Sequence, residues 1–398
     1  MQLERMKLHI KRKELIDGAF VFIYNYSILG RSCILSITAQ GYVLSRTTSL
    51  ERVLTVIEHR IPDRVPVDLH NFLVTMHYAG YSMDEGLQDG EMMADAQLRF
   101  WREFGHDMLL VENGVVAEAG ACGCQIEYFE TQPPRVAEHL LADDLERVDE
   151  LEVPDPYTAH PMCEVLKAVR ILADQIGDEV FIMGRADQGP LALAAALRGY
   201  EQILLDLALN EHPVQLHKLL DYCVRVQTRY AQALKEQGAH GTALGGAGVD
   251  FIGPRFYTEI EQGYERKFIQ AVNRPDFPVA LHICGDATLI LEDMVQTGAP
   301  ILELDYKTDL RKAKAALRGR STFLGPVNPA LIWGAHDPGE VEAAAQEAIE
   351  IVAPGGEFIL GPGCALGADT PADNIHALIQ AAHKYGVYNT DGTLKRPY

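Results

Sequence analysis

Pro278-Val279-Ala280-Leu281-His282-Ile283-Cys284 is a short apolar run that ends in two side chains able to bind metal. Such a run reads as a strand buried on both faces, and a strand alternates its side chains, so His282 and Cys284 point the same way. Working outward, seven more runs of this kind punctuate the chain. They are Val65 to Leu69, Asp107 to Glu112, Val180 to Arg185, Gly241 to Gly245, Ile301 to Asp305, Ser321 to Val327 and Glu357 to Leu360. The runs are rich in Val, Ile and Leu, as in parallel sheets covered by helices.

Between the runs lie segments whose apolar residues recur at three and four, the mark of one buried helical face. They include Met92 to Phe104, Pro161 to Ile176, Glu211 to Gln237, Phe256 to Val272, Ala287 to Gln296 and Pro338 to Ile351. Thr370, Pro371 and Asp373 read as N-cap, first and third positions of a last helix. Eight strands alternating with helices predict an α/β protein, a closed (β/α)8 TIM barrel. An open doubly wound sheet competes, but no G-x-G-x-x-G follows the first strand. The stretch from Asn113 to Glu179 is too long for a barrel loop and predicts inserted structure.

Barrel enzymes place their chemistry at the carboxyl ends of the strands. Those ends spell a polar ring: His70, Glu112, Arg185 with Asp187 and Gln188, His282 and Cys284, Glu303 and Asp305, Asn328 and Cys364. One imidazole and two thiols, His282, Cys284 and Cys364, form a borderline-soft donor set that suits Zn(2+). Three protein ligands leave a fourth position for water or substrate. The same residues also suit a plain structural role, two thiols as small buried hydrophobes and a satisfied core histidine. Cys122-Gly123-Cys124 could bind metal or be incidental loop thiols; with no other ligand nearby in sequence, the second reading is preferred. Glu112 suits acid/base work or a salt-bridged loop. His106 and His240 precede their strands and belong to the opposite end of the barrel. Asp286 is expected to cap the next helix.

The formal net charge of −21 argues against nucleic acid and anionic membrane surfaces as partners. Seven scattered cysteines do not resemble a disulfide framework and fit a reducing cytoplasm. Residues 1–48 differ: seven Lys/Arg against three acids give +4 and leave −25 for the remainder. The apolar stretch from Ala19 to Leu44 is interrupted by Asn25, Arg31 and Gln40, a poor membrane span, and no signal-peptide cleavage site follows. Residues 1–48 are therefore expected to be a poorly ordered extension or a mis-assigned start, with the barrel over 49–398.

From about Leu50 onward the chain resembles the uroporphyrinogen decarboxylase superfamily, and within it the zinc methyltransferases that act on methylated corrinoids. The resemblance rests on Glu51-Arg52-Val53-Leu54 with Pro62-Asp63-Arg64-Val65-Pro66, Gly189-Pro190-Leu191, Leu302-Glu303-Leu304-Asp305, Leu324-Gly325-Pro326-Val327-Asn328-Pro329, and Gly363-Cys364 through Thr370-Pro371-Ala372-Asp373-Asn374. It implies the same barrel. The decarboxylases carry an early R-Q-A-G-R motif that grips porphyrinogen carboxylates, where this chain reads Leu69-His70-Asn71-Phe72-Leu73-Val74 without an arginine. The methylcobamide:coenzyme M type uses H-x-C and a distant C as zinc ligands, matching His282, Cys284 and Cys364.

The resemblance implies methyl transfer from a methylcobalamin-type corrinoid to a thiol such as coenzyme M, or to tetrahydrofolate. The zinc would lower the pKa of the acceptor thiol. Glu303, Asp305 and Glu112 become the candidate catalytic or ligand-supporting acids. His70, Arg185, Asp187, Gln188 and Asn328 become candidate substrate contacts. A separate small corrinoid protein is the implied partner, since no D-x-H-x-x-G occurs here. Several enzymes of this type have an aspartate where this chain reads Ala243-Leu244-Gly245-Gly246-Ala247-Gly248, which leaves the acceptor open. A metal-independent lyase acting on a tetrapyrrole and a non-catalytic corrinoid-binding protein are the alternatives.

Overall fold

The computed structural model describes residues 9–16, 19–28, 31–37, 47–186, 188–246 and 248–396. The chain divides into two units, 1–47 and 48–398. In the first, β1 (His9–Ile16), β2 (Ala19–Ile28) and β3 (Arg31–Ile37) pair as an antiparallel sheet in sequence order.

The second unit holds the barrel. Its strands are β4 (Met108–Val111), β7 (Phe181–Gly184), β8 (Thr242–Gly246), β9 (Val279–Ile283), β10 (Ile301–Leu304), β11 (Thr322–Val327) and β12 (Phe358–Pro362). The inserted stretch carries a small hairpin, β5 (Gln125–Glu127) and β6 (Arg135–Glu138), as its length suggests. Parallel ladders join β8 through β12 in order, and β4 to β7. Single bridges complete the circuit. Met183 pairs with Gly241, and the extended segment 65–69 pairs through Val67 with Leu360 on one side. On the other side Asp107 N–H donates to the Val67 carbonyl at 2.8 Å. The first predicted strand is thus present as a short extended connection, not a full ladder.

Alternation along each strand sorts the core into two layers. Met108, Leu110, Phe181, Met183, Ala243, Ala280, Ile301, Leu324 and Ile359 point into the barrel. Their neighbours Leu109, Val111, Ile182, Leu244, Leu281, Leu302, Phe323 and Leu360 point out against the helices. Val53 and Val56, from the helix Ser49–Ile57, plug the amino end of the interior. That helix starts at a capping box in which Thr48 and Glu51 exchange hydrogen bonds.

Two helix starts differ from the sequence expectation. The helix after β9 begins only at Leu291, because Asp286 accepts from Thr288 N–H at 2.9 Å and closes a local turn instead of capping. The last helix is Ala372–Tyr385, with Pro371 at the cap position, while the Thr370 hydroxyl donates backward to the Gly367 carbonyl. No helix among the described residues is long and apolar enough to cross a membrane.

Asp107 ties the amino end together. Its carboxylate accepts from Ser49 Oγ at 2.7 Å, Arg52 at 2.8 Å, Arg64 at 2.7 Å and Val67 N–H at 2.8 Å. Burial raises its pKa, but Arg64, Arg52 and the hydrogen bonds outweigh that and hold it below the usual carboxylate range. The Asp107→Asn variant leaves two arginines undercompensated and is expected to lose about 3–5 kcal/mol, read from urea denaturation at neutral pH. A depressed pKa gives stability that is full above the unfolded value, near 3.9, and is lost as pH falls through the folded value. The gap between wild type and variant therefore narrows below about pH 4.

Candidate metal centre

The inward parity that builds the apolar interior continues for two residues at the carboxyl end and turns polar there. Beyond Leu110 comes Glu112, beyond Met183 Arg185, beyond Ala280 His282 and Cys284, beyond Ile301 Glu303. Segment 65–69 contributes Asp68 and His70 by the same parity, since Val67 and Leu69 face outward. All of these except Cys284 are buried.

His282 Nε2 lies 3.0 Å from Cys284 Sγ, and Cys284 Sγ lies 3.8 Å from Cys364 Sγ. The three donor atoms fall within 4.8 Å of one another, the one His/Cys/Asp/Glu grouping with metal-binding spacing found among the described residues. A tetrahedral zinc with sulfur at about 2.3 Å and nitrogen at about 2.05 Å separates two sulfurs by about 3.8 Å, and sulfur from nitrogen by about 3.6 Å. The donor set fits such an ion. Cys364 reaches it because Gly363 has no side chain: a Cβ there would lie 2.7 Å from Tyr306 N and 2.9 Å from Asp305 Cα.

Glu303 organises what stands behind the donors. In the β9–β10 register it is the direct neighbour of His282. Its backbone carbonyl lies 3.3 Å from His282 Nδ1 and its carboxylate 3.6 Å away, which leaves Nε2 for a metal. The other carboxylate oxygen contacts His70 Nδ1 at 2.6 Å. Burial would raise the Glu303 pKa, but His282, His70 and Arg185 hold it well below the carboxylate range. Asp68, which accepts from His70 N–H at 3.1 Å, is pushed up to about 7 by burial and by the Glu303 charge.

Arg185 Nη1 lies 3.0 Å from His70 Nε2 and 3.2 Å from Glu112. Two influences on His70 conflict. Burial lowers its pKa, yet Glu303 draws it up to about 9, favouring imidazolium. A guanidinium only donates, so its contact with Nε2 requires a neutral ring protonated at Nδ1. The contact is the firmer guide to the proton's place, since two N–H groups cannot share a 3.0 Å approach.

The two thiols are driven apart. The hydrogen bond from Cys284 pulls Cys364 well below the usual thiol range, helped by His282, while the same contact and burial push Cys284 up. In front of them lies a cavity of about 100 Å³, lined by His70, Phe72, Glu112, Arg185, Gln188 and Ala365 as well as the donors.

A profile described as "Uroporphyrinogen decarboxylase (URO-D)" matches residues 48–385. The chain belongs to the uroporphyrinogen decarboxylase family. It is similar to the methylcobamide:CoM methyltransferase MtbA of Methanosarcina mazei, 28% identical over 349 residues that span 86% of this chain and 99% of that protein. It is also similar to the methylcobamide:CoM methyltransferase MtaA of Methanosarcina barkeri, 27% identical over 352 residues, with 86% and 99% covered. The solved structure of a methyltransferase from Methanosarcina mazei superposes with a TM-score of 0.77 at 26% identity, covering 85% of this chain and 99% of that one. This member of the family is a methyltransferase with the family's barrel.

The remaining predicted residues divide. Asp305 faces the backbone: its carboxylate accepts from Gly285 N–H and Lys307 N–H, both at 3.0 Å, and so shapes the loop that carries Cys284. Asn328 caps the helix Pro329–Gly334 by accepting from Ala330 N–H at 2.9 Å. Asp187 lies outside the described residues. Cys122 and Cys124 are separate thiols, the first accepting from Tyr222 Oη at 3.3 Å and the second donating to the Ala196 carbonyl. His106 and His240 sit at the amino end, where His240 Nδ1 accepts from Ile182 N–H. Sequence reading missed Asp68, Phe72 and Ala365. The spacing of Asp68 two before His70 was the one available signal.

In the metal-free protein, iodoacetamide is expected to alkylate Cys364 before Cys284. Because the Cys364 pKa is depressed, its thiolate is already formed and its rate stays flat from about pH 6 to about pH 8. Peptide mass mapping over time checks both the order and the flat profile.

Proposed function

We propose that this methyltransferase moves a methyl group from a methylated corrinoid to a thiol such as coenzyme M, at a zinc ion held by His282, Cys284 and Cys364. The supporting observation is the convergence of one imidazole nitrogen and two sulfurs at the mouth of the barrel, beside a cavity. Bound there, zinc would supply the Lewis acidity that keeps an acceptor thiol deprotonated at neutral pH. The chain's own groups prepare the site. Glu303 fixes the tautomer of His282, Asp305 shapes the loop of Cys284, and Gly363 brings Cys364 within reach.

Glu112, Arg185 and Gln188 wall the space in which the acceptor sits. The sulfur lone pair forms the new S–C bond as the Co–C bond breaks, with its electron pair staying on cobalt, and the thiol proton passes to solvent. A thiol is favoured over tetrahydrofolate because the cavity beside the triad has room for little more than a thiol and its first carbons.

The donor is proposed to arrive on a separate small corrinoid protein seated over the mouth. Leu289, Tyr306 and Trp333 follow β9, β10 and β11 and stand exposed at that rim, an apolar footing for a partner. Residues 1–48 are proposed to lie outside the catalytic barrel, in a cytoplasmic enzyme.

The Cys364→Ser variant is expected to retain its fold by circular dichroism. It should lose most of its zinc by elemental analysis and lose methyl transfer from methylcobalamin at least about a hundredfold. Full transfer by a zinc-free variant would refute the assignment.

A further inference from the structure

Beyond the cavity at the triad lies a second chamber of about 430 Å³. The two share Val115 and Gln188 as a common wall, so the outer chamber continues the inner one. Its other walls are largely apolar, chiefly Val136, Ala192, Ala195, Ala196 and the ring of Tyr200. The Tyr200 hydroxyl crosses to the Gly248 carbonyl at 2.7 Å and ties the far side. Val115 holds its place at φ 66°, a left-handed conformation costly for a β-branched residue. Strain of this kind persists where the surroundings need a side chain in that position.

Charge is the second observation. Among the described residues lining the outer chamber there is no lysine or arginine, and His139 Nδ1 is engaged by the Ala196 carbonyl at 2.8 Å. The cationic guanidinium of the inner cavity, Arg185, is held between Glu112 and His70. Both Glu112 carboxylate oxygens lack a hydrogen-bond donor, although Arg185 stands 3.2 Å from one of them. A sulfonate tail entering this space would meet apolar walls and a like charge, and a buried anion without a partner is strongly disfavoured.

We infer that the methyl acceptor is an uncharged thiol with an apolar tail: its sulfur sits at the triad and its tail runs past Val115 into the outer chamber. This rests on the reading of the triad as the place of methyl transfer, and departs from coenzyme M, whose tail is a sulfonate. The thiol loses its proton to solvent, its sulfur gains the methyl carbon, and the bonding pair of the Co–C bond remains on cobalt. Each methylene seated in the chamber tightens binding about fourfold.

The test uses the zinc-loaded full chain with methylcobalamin as donor. The acceptors are 2-mercaptoethanesulfonate, 2-mercaptoethanol, 1-butanethiol and 1-hexanethiol, and calorimetry gives the Kd of each. The expected result is a Kd that falls with tail length and a kcat/KM for 1-hexanethiol at least about tenfold above that for 2-mercaptoethanesulfonate. Ala196→Phe, which fills the chamber, should cut the preference for 1-hexanethiol over 2-mercaptoethanol about tenfold. Val115→Arg, which adds a cation, should shift preference toward the sulfonate. The inference is overturned if the sulfonate binds as tightly as 1-hexanethiol, if tail length has no effect on Kd, or if cobalamin competes with 1-hexanethiol for the chamber. Tail-dependent binding without turnover would instead overturn the transfer reading and leave the chamber's preference standing.

Discussion

A single buried carboxylate, that of Glu303, holds the polar end of this barrel in order. Burying a charge is costly unless partners surround it, and here two imidazoles and a guanidinium do. The same contacts determine which nitrogen each histidine presents. His70 turns Nδ1 to the carboxylate, His282 turns Nδ1 toward the same residue, and the Nε2 of His282 is left facing the two sulfurs. A neutral residue at position 303 would free both rings to flip, and the donor set would lose its aim.

The two ends of the barrel solve opposite problems with one alternation of side chains. Toward the amino end the inward positions are filled by Val53, Val56 and strand residues that exclude water, and the ion cluster around Asp107 clamps the connecting segments. Toward the carboxyl end the same inward positions carry Glu112, Arg185, His282 and Glu303. Apolar packing beneath gives these groups a rigid floor, while their mutual pairing offsets the loss of water.

Much of this was legible in the sequence because strand ends carry a period-two signal. The eight apolar runs coincide with the eight positions around the barrel, and the triad is visible as His282 and Cys284 on one strand face with Cys364 after another. Other residues were misread for local reasons. Asn328 and Asp305 look like substrate contacts in a linear list of strand ends, yet nearby backbone N–H groups engage both. Asp286 and Thr370 look like helix caps, but each bonds within its own loop, where a short polar side chain competes with the helix start. The first run, 65–69, reads as an ordinary strand although it is joined by single bridges alone.

What the chain's residue order determined by itself is the alternation of strand and helix, the choice of donor atoms, and the face on which each donor lies. These depend on periods of two and three to four residues, which are local. What only the tertiary structure decided is which strand ends meet. The 3.8 Å approach of two sulfurs eighty residues apart, the seat of Glu303 beside His282, and the apolar chamber behind Val115 all follow from register between strands and from glycines that let loops pass close. Such contacts are long-range, and no local pattern encodes them.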